Sequence, residues 1–227
     1  MMLDPFYLIV DSAEWIARLV PLGVKLVQLR IKDKETAELR TEIRTAKAIC
    51  AKHGCQLIIN DYWQLAVEEG CDFVHLGQED LEAADLGAIR AAGLKLGLST
   101  HDDAELATAL AAKPDYIALG PIYPTILKQM KWSPQGPERL RLWKSRLGDL
   151  PLVAIGGLNV DRIEGVLSQG ADSAAVVTDI TLNPDPETRT RQWLAATAPW
   201  RSVEMPLGRL QNRTVDGSFG RNTFKND

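Results

Sequence analysis

Eight short runs of strand-forming residues recur along the chain, each followed by a stretch of helix formers. This alternation limits the fold more than any other feature. The runs are 6–10, 25–29, 56–59, 73–76, 95–98, 116–119, 152–155 and 173–177. Most are apolar on both faces, as expected of strands in a parallel sheet covered by helices. Between them, residues 36–53 and 102–111 are rich in Ala, Glu, Leu, Lys and Arg, all good helix formers. Asp102 and Asp103 after His101 predict a helix start, and Asn159 predicts another cap. Gly54, Gly70, Gly93 and Gly170 fall where helices should end. Eight such units predict a (β/α)8 TIM barrel forming a single α/β domain over residues 1–200. A doubly wound open sheet would need a Gly-rich dinucleotide loop after its first strand, and none is there. Residues 201–227 carry five basic and three acidic side chains with no clear period, and read as a flexible C-terminal tail.

Composition narrows the function classes. An apolar share of 45% and a charged share of 25% are ordinary for a globular protein and exclude disorder of the bulk. No apolar run approaches the ~18 residues of a membrane-spanning helix. The first dozen residues lack the basic region and cleavage site of a signal peptide. A net charge of −4 gives no general attraction for nucleic acid or an anionic membrane. Cys50, Cys55 and Cys71 fit no zinc spacing and read as reduced, buried thiols. The expectation is a cytoplasmic protein acting on small molecules, with homo-oligomerisation left open.

In such a barrel the functional residues follow the C-terminal ends of the strands. Gln28, Arg30 and Lys32 surround the end of the second run, and Asn60 and Asp61 follow the third. Asp80 follows the fourth, and Ser99, Thr100 and His101 follow the fifth. Thr125 and Lys128 lie beyond the sixth, Gly156 and Gly157 beyond the seventh, and Thr178 and Asp179 beyond the eighth. Arg30, Lys32 and Lys128 are cations suited to an anion. Asp61 and Asp80 are oxygen ligands of the kind Mg²⁺ takes together with substrate phosphates. Gly156, Gly157 and Thr178 occupy the loops where barrels often hold a phosphate on backbone amides. Each has a plainer reading: a solvated face for the cations, a helix N-cap for Asp80, a tight turn for the glycines. His75 reads as a satisfied core histidine, Cys71 lies on the opposite rim, and His101 opens a helix. No nucleophile stands out. Two phosphate sites, one with a metal, suit a reaction in which diphosphate departs under electrostatic stabilisation.

The ordered set Gln28-Leu29-Arg30-Ile31-Lys32, Ile59-Asn60-Asp61, Gly77-Gln78-Glu79-Asp80, Gly120-Pro121-Ile122-Tyr123-Pro124-Thr125, Ile155-Gly156-Gly157 and Val177-Thr178-Asp179 resembles the thiamine phosphate synthase family over residues 5–198. The resemblance implies a Mg²⁺-dependent transferase of thiamine biosynthesis. Such an enzyme joins a hydroxymethylpyrimidine diphosphate to a thiazole phosphate and releases diphosphate. It implies that Asp61 and Asp80 hold the metal and that Gln28, Arg30, Lys32, Asn60 and Lys128 meet the diphosphate. Ser99 would lie near the pyrimidine and the departing group. Thr125, Gly157 and the main chain around Thr178 would bind the thiazole phosphate. It also implies a dissociative mechanism, in which a pyrimidine methylene cation is trapped by the thiazole nitrogen. Two positions depart from the family pattern: Leu127 stands where a threonine is usual, and Thr178 where a serine is common. A thiazole tautomerase of the same fold and a non-catalytic binder of thiamine precursors are the alternatives.

Overall fold

The eight strands are Phe6–Val10 (β1), Leu26–Leu29 (β2), Gln56–Asn60 (β3), Phe73–Leu76 (β4), Lys95–Thr100 (β5), Tyr116–Leu119 (β6), Leu152–Ile155 (β7) and Ser173–Val176 (β8). Each pairs in parallel with its sequence neighbour, and β8 pairs with β1 through Phe6 opposite Ala174 and Leu8 opposite Val176, so the sheet closes into a barrel. This computed structural model describes residues 2–126 and 131–201. The predicted (β/α)8 architecture is therefore the observed one; β1, β4, β6 and β7 have the expected limits and the other strands differ by one or two residues. The largest shift is at β5, which runs on through Ser99 and Thr100 instead of ending before them.

The period of two along each strand separates two cores. Tyr7, Ile9, Leu26, Ile58, Phe73, Tyr116, Ala118, Val153 and Ala175 pack inside the barrel. Phe6, Leu8, Val27, Ile59, Val74 and Leu96 point outward and pack in the layer shared with the helices. Both faces are thus removed from water, which is why the runs lack a polar side.

The helices form where their residues favour them. Thr36–His53 buries Leu39, Ile43, Ala46 and Cys50, one stripe at helical spacing, and ends at Gly54 with φ 59°. The helix Asp103–Ala111 is capped by Asp102, which accepts a hydrogen bond from the Glu105 amide at 2.9 Å. Asn159 caps as expected, accepting from the Arg162 amide at 3.1 Å, although the element it opens begins as a 3-10 turn. Such caps are worth about 1 kcal/mol each. The helix Pro186–Thr197 covers the closing seam: buried Trp193 stacks on Phe6 with ring centroids 5.4 Å apart and donates its indole N–H to Asp179 at 2.8 Å. Cys50, Cys55 and Cys71 are all buried and free. No helix among the described residues is long and apolar enough to cross a membrane. The expected tail lies outside the described residues from 202 onward.

Candidate active site at the barrel mouth

The strand period that fills the lower barrel with apolar side chains brings polar ones to its upper end. Two residues beyond Leu26, Ile58 and Phe73 on the same interior face stand Gln28, Asn60 and His75, all buried. Above them opens a cavity of about 290 Å³. Gln28, Arg30, Lys32, Asn60, Asp61, Asp80, Ser99, Thr125, Gly157 and Thr178 all line it. Residues spread over 150 positions of sequence thus meet in one place. Lys128 and Leu127 lie outside the described residues.

Two acids and a cation form one wall. Asp61 directly follows β3 with φ 64°, a left-handed conformation uncommon for a side chain larger than glycine's. Its amide is anchored to the His75 carbonyl at 2.9 Å, and its carboxylate pairs with the Lys32 ammonium. Asp80 is not the helix cap that its position suggested. Gly77 is the cap, and Asp80 is the third residue of the helix Gln78–Ala83. From there its carboxylate reaches back to the Gly77 backbone, in the manner of the returning arm of a capping box. Burial, and after it the neighbouring Asp61 carboxylate, hold the Asp80 carboxyl above the usual carboxylate range. Two acids forced together in this way fit a divalent cation. Among the described residues no group of three or more His, Cys, Asp or Glu side chains could hold a metal alone. Asp61 and Asp80 are the carboxylates here that could hold a cation such as Mg²⁺, which uses one or two carboxylates together with substrate phosphates. Arg30 makes no side-chain ion pair among the described residues, so its charge remains available to an anion.

The opposite wall is built from backbone. Gly156 and Gly157 have φ 98° and 65°, and the loop after β6 presses on them. A Cβ on Gly157 would lie 2.3 Å from the Pro124 carbonyl oxygen, and one on Gly156 would lie 2.7 Å from the Pro121 Cα. The close approach brings the chain near Thr125 against the loop after β7. Thr178 opens the single-turn helix Thr178–Thr181 beside them. Asp179 faces away, engaged with Trp193 and, at 3.7 Å, with Arg189.

Tyr7 and Tyr116 were not singled out from sequence. With His75 they join Gln28 and Ser99 in a hydrogen-bonded chain through the barrel. Its links are Gln28 Nε2 to Tyr7 Oη at 2.7 Å, Tyr7 Oη to Tyr116 Oη at 3.0 Å, Tyr116 Oη to His75 Nδ1 at 2.7 Å and His75 Nε2 to Ser99 Oγ at 2.8 Å. His75 is indeed a satisfied interior histidine, and burial lowers its pKa to about 4, leaving the ring neutral. Burial raises both tyrosines, which also stay neutral. His101 flanks the helix start as expected but also lines the cavity, bonded to Glu105 at 2.7 Å and stacked on Trp132 at 4.0 Å. The parity of Gln28 was the available signal for the interior chain, because residues two apart on one strand share a face.

Comparison with known proteins decides the family. The family model described as thiamine monophosphate synthase matches residues 6–180. The chain belongs to the thiamine monophosphate synthase family. It is accordingly an enzyme, a transferase of thiamine biosynthesis. A thiamine-phosphate synthase of Rhizobium etli is 75% identical over 203 residues, covering 89% of this chain and all of the relative. A thiamine-phosphate synthase of Cronobacter sakazakii is 52% identical over 188 residues, covering 83% of this chain and 90% of the relative. Among solved structures, a thiamine phosphate pyrophosphorylase from Pyrococcus furiosus superposes with a TM-score of 0.78 at 25% identity, over 88% of this chain and 98% of its own. A 3-hexulose-6-phosphate synthase, at 16% identity and a TM-score of 0.61, shares the barrel alone. The Pyrococcus furiosus pyrophosphorylase thus shares the barrel of this chain over nearly its whole length.

Proposed function

We propose that the enzyme condenses 4-amino-2-methyl-5-hydroxymethylpyrimidine diphosphate with 4-methyl-5-(2-phosphooxyethyl)thiazole, giving thiamine monophosphate and diphosphate. The observation that carries this reading is the acid pair Asp61–Asp80 set beside Lys32 and Arg30, which has no ion-pair partner among the described residues, in one cavity. A diphosphate needs that combination of cations and a metal-holding pair. Arg30 and Lys32, with Gln28 and Asn60 at the barrel floor, bind the diphosphate, and Lys128 belongs to the same set. Asp61 and Asp80 hold Mg²⁺. When bound, the ion neutralises charge that grows on the diphosphate as the carbon–oxygen bond breaks. Ser99 faces the pyrimidine and its leaving group. Thr125, the Gly157 region and Thr178 seat the thiazole phosphate, which brings the thiazole nitrogen to the pyrimidine methylene carbon. No side-chain nucleophile is required: the bond to diphosphate breaks first, the electron pair leaves with it, and the thiazole nitrogen supplies the pair for the new bond. Orientation and electrostatic stabilisation supply most of the rate. The free, buried thiols agree with a reducing cytoplasm.

A thiazole tautomerase would need the phosphate seat but would gain nothing from a second carboxylate at Asp80. Incubating the protein with both precursors and Mg²⁺ tests the reading. Formation of thiamine phosphate and diphosphate in equal amounts is the expected result. Isomerisation of a thiazole phosphate without condensation would assign the tautomerase instead, and binding of precursors without turnover would leave a binding protein.

A further inference from the structure

The interior chain of hydrogen bonds has a direction, and its far end is a hydroxyl at the reacting site. We propose that Tyr7, Tyr116 and His75 are positioning residues that orient the Ser99 hydroxyl so that it donates its proton into the cavity. The inference rests on the placement of the pyrimidine diphosphate argued above. It follows from counting donors. The Gln28 amide nitrogen can only donate, and it donates to the Tyr7 oxygen at 2.7 Å. The one hydrogen of Tyr7 has the Tyr116 oxygen, 3.0 Å away, as its remaining partner among the described residues, and the proposal gives the bond that direction. Tyr116 then gives its own hydrogen to His75 Nδ1 at 2.7 Å. A neutral imidazole that accepts at Nδ1 carries its proton on Nε2, which faces Ser99 Oγ at 2.8 Å. Ser99 accepts that bond, so its hydroxyl hydrogen is left for an acceptor in the cavity, such as a ring nitrogen or a departing phosphate oxygen. Without this chain the hydroxyl could instead donate to an unprotonated Nε2.

Packing supports a path kept for this purpose. A Cβ on Gly97 would lie 2.1 Å from the Tyr116 ring, so the glycine opens the space through which Tyr116 crosses. The Tyr116 ring stacks on His75 with centroids 5.5 Å apart and 16° between planes, and meets Tyr7 edge-on at 85°. Tyr7, Tyr116 and His75 are all buried, so bulk water does not compete for these bonds.

The histidine tautomer is the direct readout. Nitrogen-15 NMR of the full chain labelled at histidine, with the His75 signals identified by their loss in His75→Gln, should show His75 protonated at Nε2. Protonation at Nδ1 would mean that the bonds from Tyr7 to Ser99 run the other way, and would overturn the proposal. Kinetics supply the second arm. Ser99→Ala should lower kcat by about tenfold to a hundredfold. Tyr116→Phe should lower kcat toward the same level with little change in the KM for the pyrimidine diphosphate. In the Ser99→Ala background the tyrosine change should cost less than about twofold more, because the two act through one group. Independent, multiplying losses would assign Tyr116 a merely structural role. The tautomer measurement needs no substrate and no variant of Tyr116. An Nε2 proton in a protein that makes no thiamine phosphate would therefore overturn the functional reading and leave the direction of the chain standing.

Discussion

Asp80 shows how a single side chain trades stability for chemistry. Its carboxyl is held above the usual range by burial and by the Asp61 carboxylate beside it. A carboxyl raised on folding contributes stability that is fully present below its unfolded value and lost as pH rises through the folded one. Above that folded range the Asp80 carboxylate therefore weakens the metal-free protein. Asp80→Asn should raise the denaturation midpoint without metal at pH 7, abolish the stabilisation given by Mg²⁺, and reduce turnover severely; thermal scans with and without Mg²⁺, beside an activity assay, check all three. A variant that is less stable without metal and still stabilised by Mg²⁺ would remove Asp80 from the metal site. Arg30 is the complementary case. It carries charge into the cavity without an internal partner among the described residues, so Arg30→Ala should leave the fold intact. Its loss should fall on kcat more than on KM, by about a hundredfold, because charge on the diphosphate grows as the bond breaks. Steady-state kinetics in which only KM rises would show that the residue binds substrate and transition state alike.

Among the elements, the loops after β6 and β7 act as one unit. Gly156 and Gly157 adopt positive φ and let the chain from Pro121 to Pro124 close against them. Gly157→Ala places a methyl against the Pro124 carbonyl in a left-handed conformation that disfavours it, so Thr125 and the loop must shift. The expected result is a KM for the thiazole phosphate raised about tenfold or more, with the KM for the pyrimidine diphosphate nearly unchanged. Equal effects on both substrates would show that the glycines shape the whole cavity and not its phosphate wall. The returning part of the same loop is tied separately. Trp132 stacks on His101, and Gln135 donates to the His101 and Gly120 carbonyls at 2.8 Å each. The segment 131–136 is thereby bound to the start of the helix Asp103–Ala111.

At the scale of the whole molecule, a neutral histidine inside the barrel couples folding to pH. His75 has a folded pKa of about 4, below the ordinary 6.5. A group depressed on folding contributes stability that is present above the unfolded value and lost as pH falls, because only the unfolded chain takes up the proton. Stability should therefore decline between pH 6.5 and 4, by on the order of 3 kcal/mol from this group. Denaturant titrations across that window should show a shallower decline in His75→Gln. An equal slope in both proteins would mean that other groups govern acid unfolding.

The alternation of apolar runs with helix formers specified a parallel sheet covered by helices on both faces, and eight units without a Gly-rich loop after the first run pointed to the barrel form of it. The sequence also marked Arg30, Lys32, Asp61, Asp80 and Gly157, because polar residues and glycines directly beyond such strands fall at the mouth. It did not place Asp80 within its helix: whether an acid caps a helix or sits three residues inside depends on which residue leaves the strand first, here Gly77. Nor did it reveal the line from Gln28 through Tyr7, Tyr116 and His75 to Ser99. Those residues lie on five strands, β2, β1, β6, β4 and β5, and the three between Gln28 and Ser99 each pass alone for core. Closing the sheet set their register, and only there do five unrelated positions come within hydrogen-bonding distance, since such bonds depend on separations of a few tenths of an ångström that no local pattern encodes.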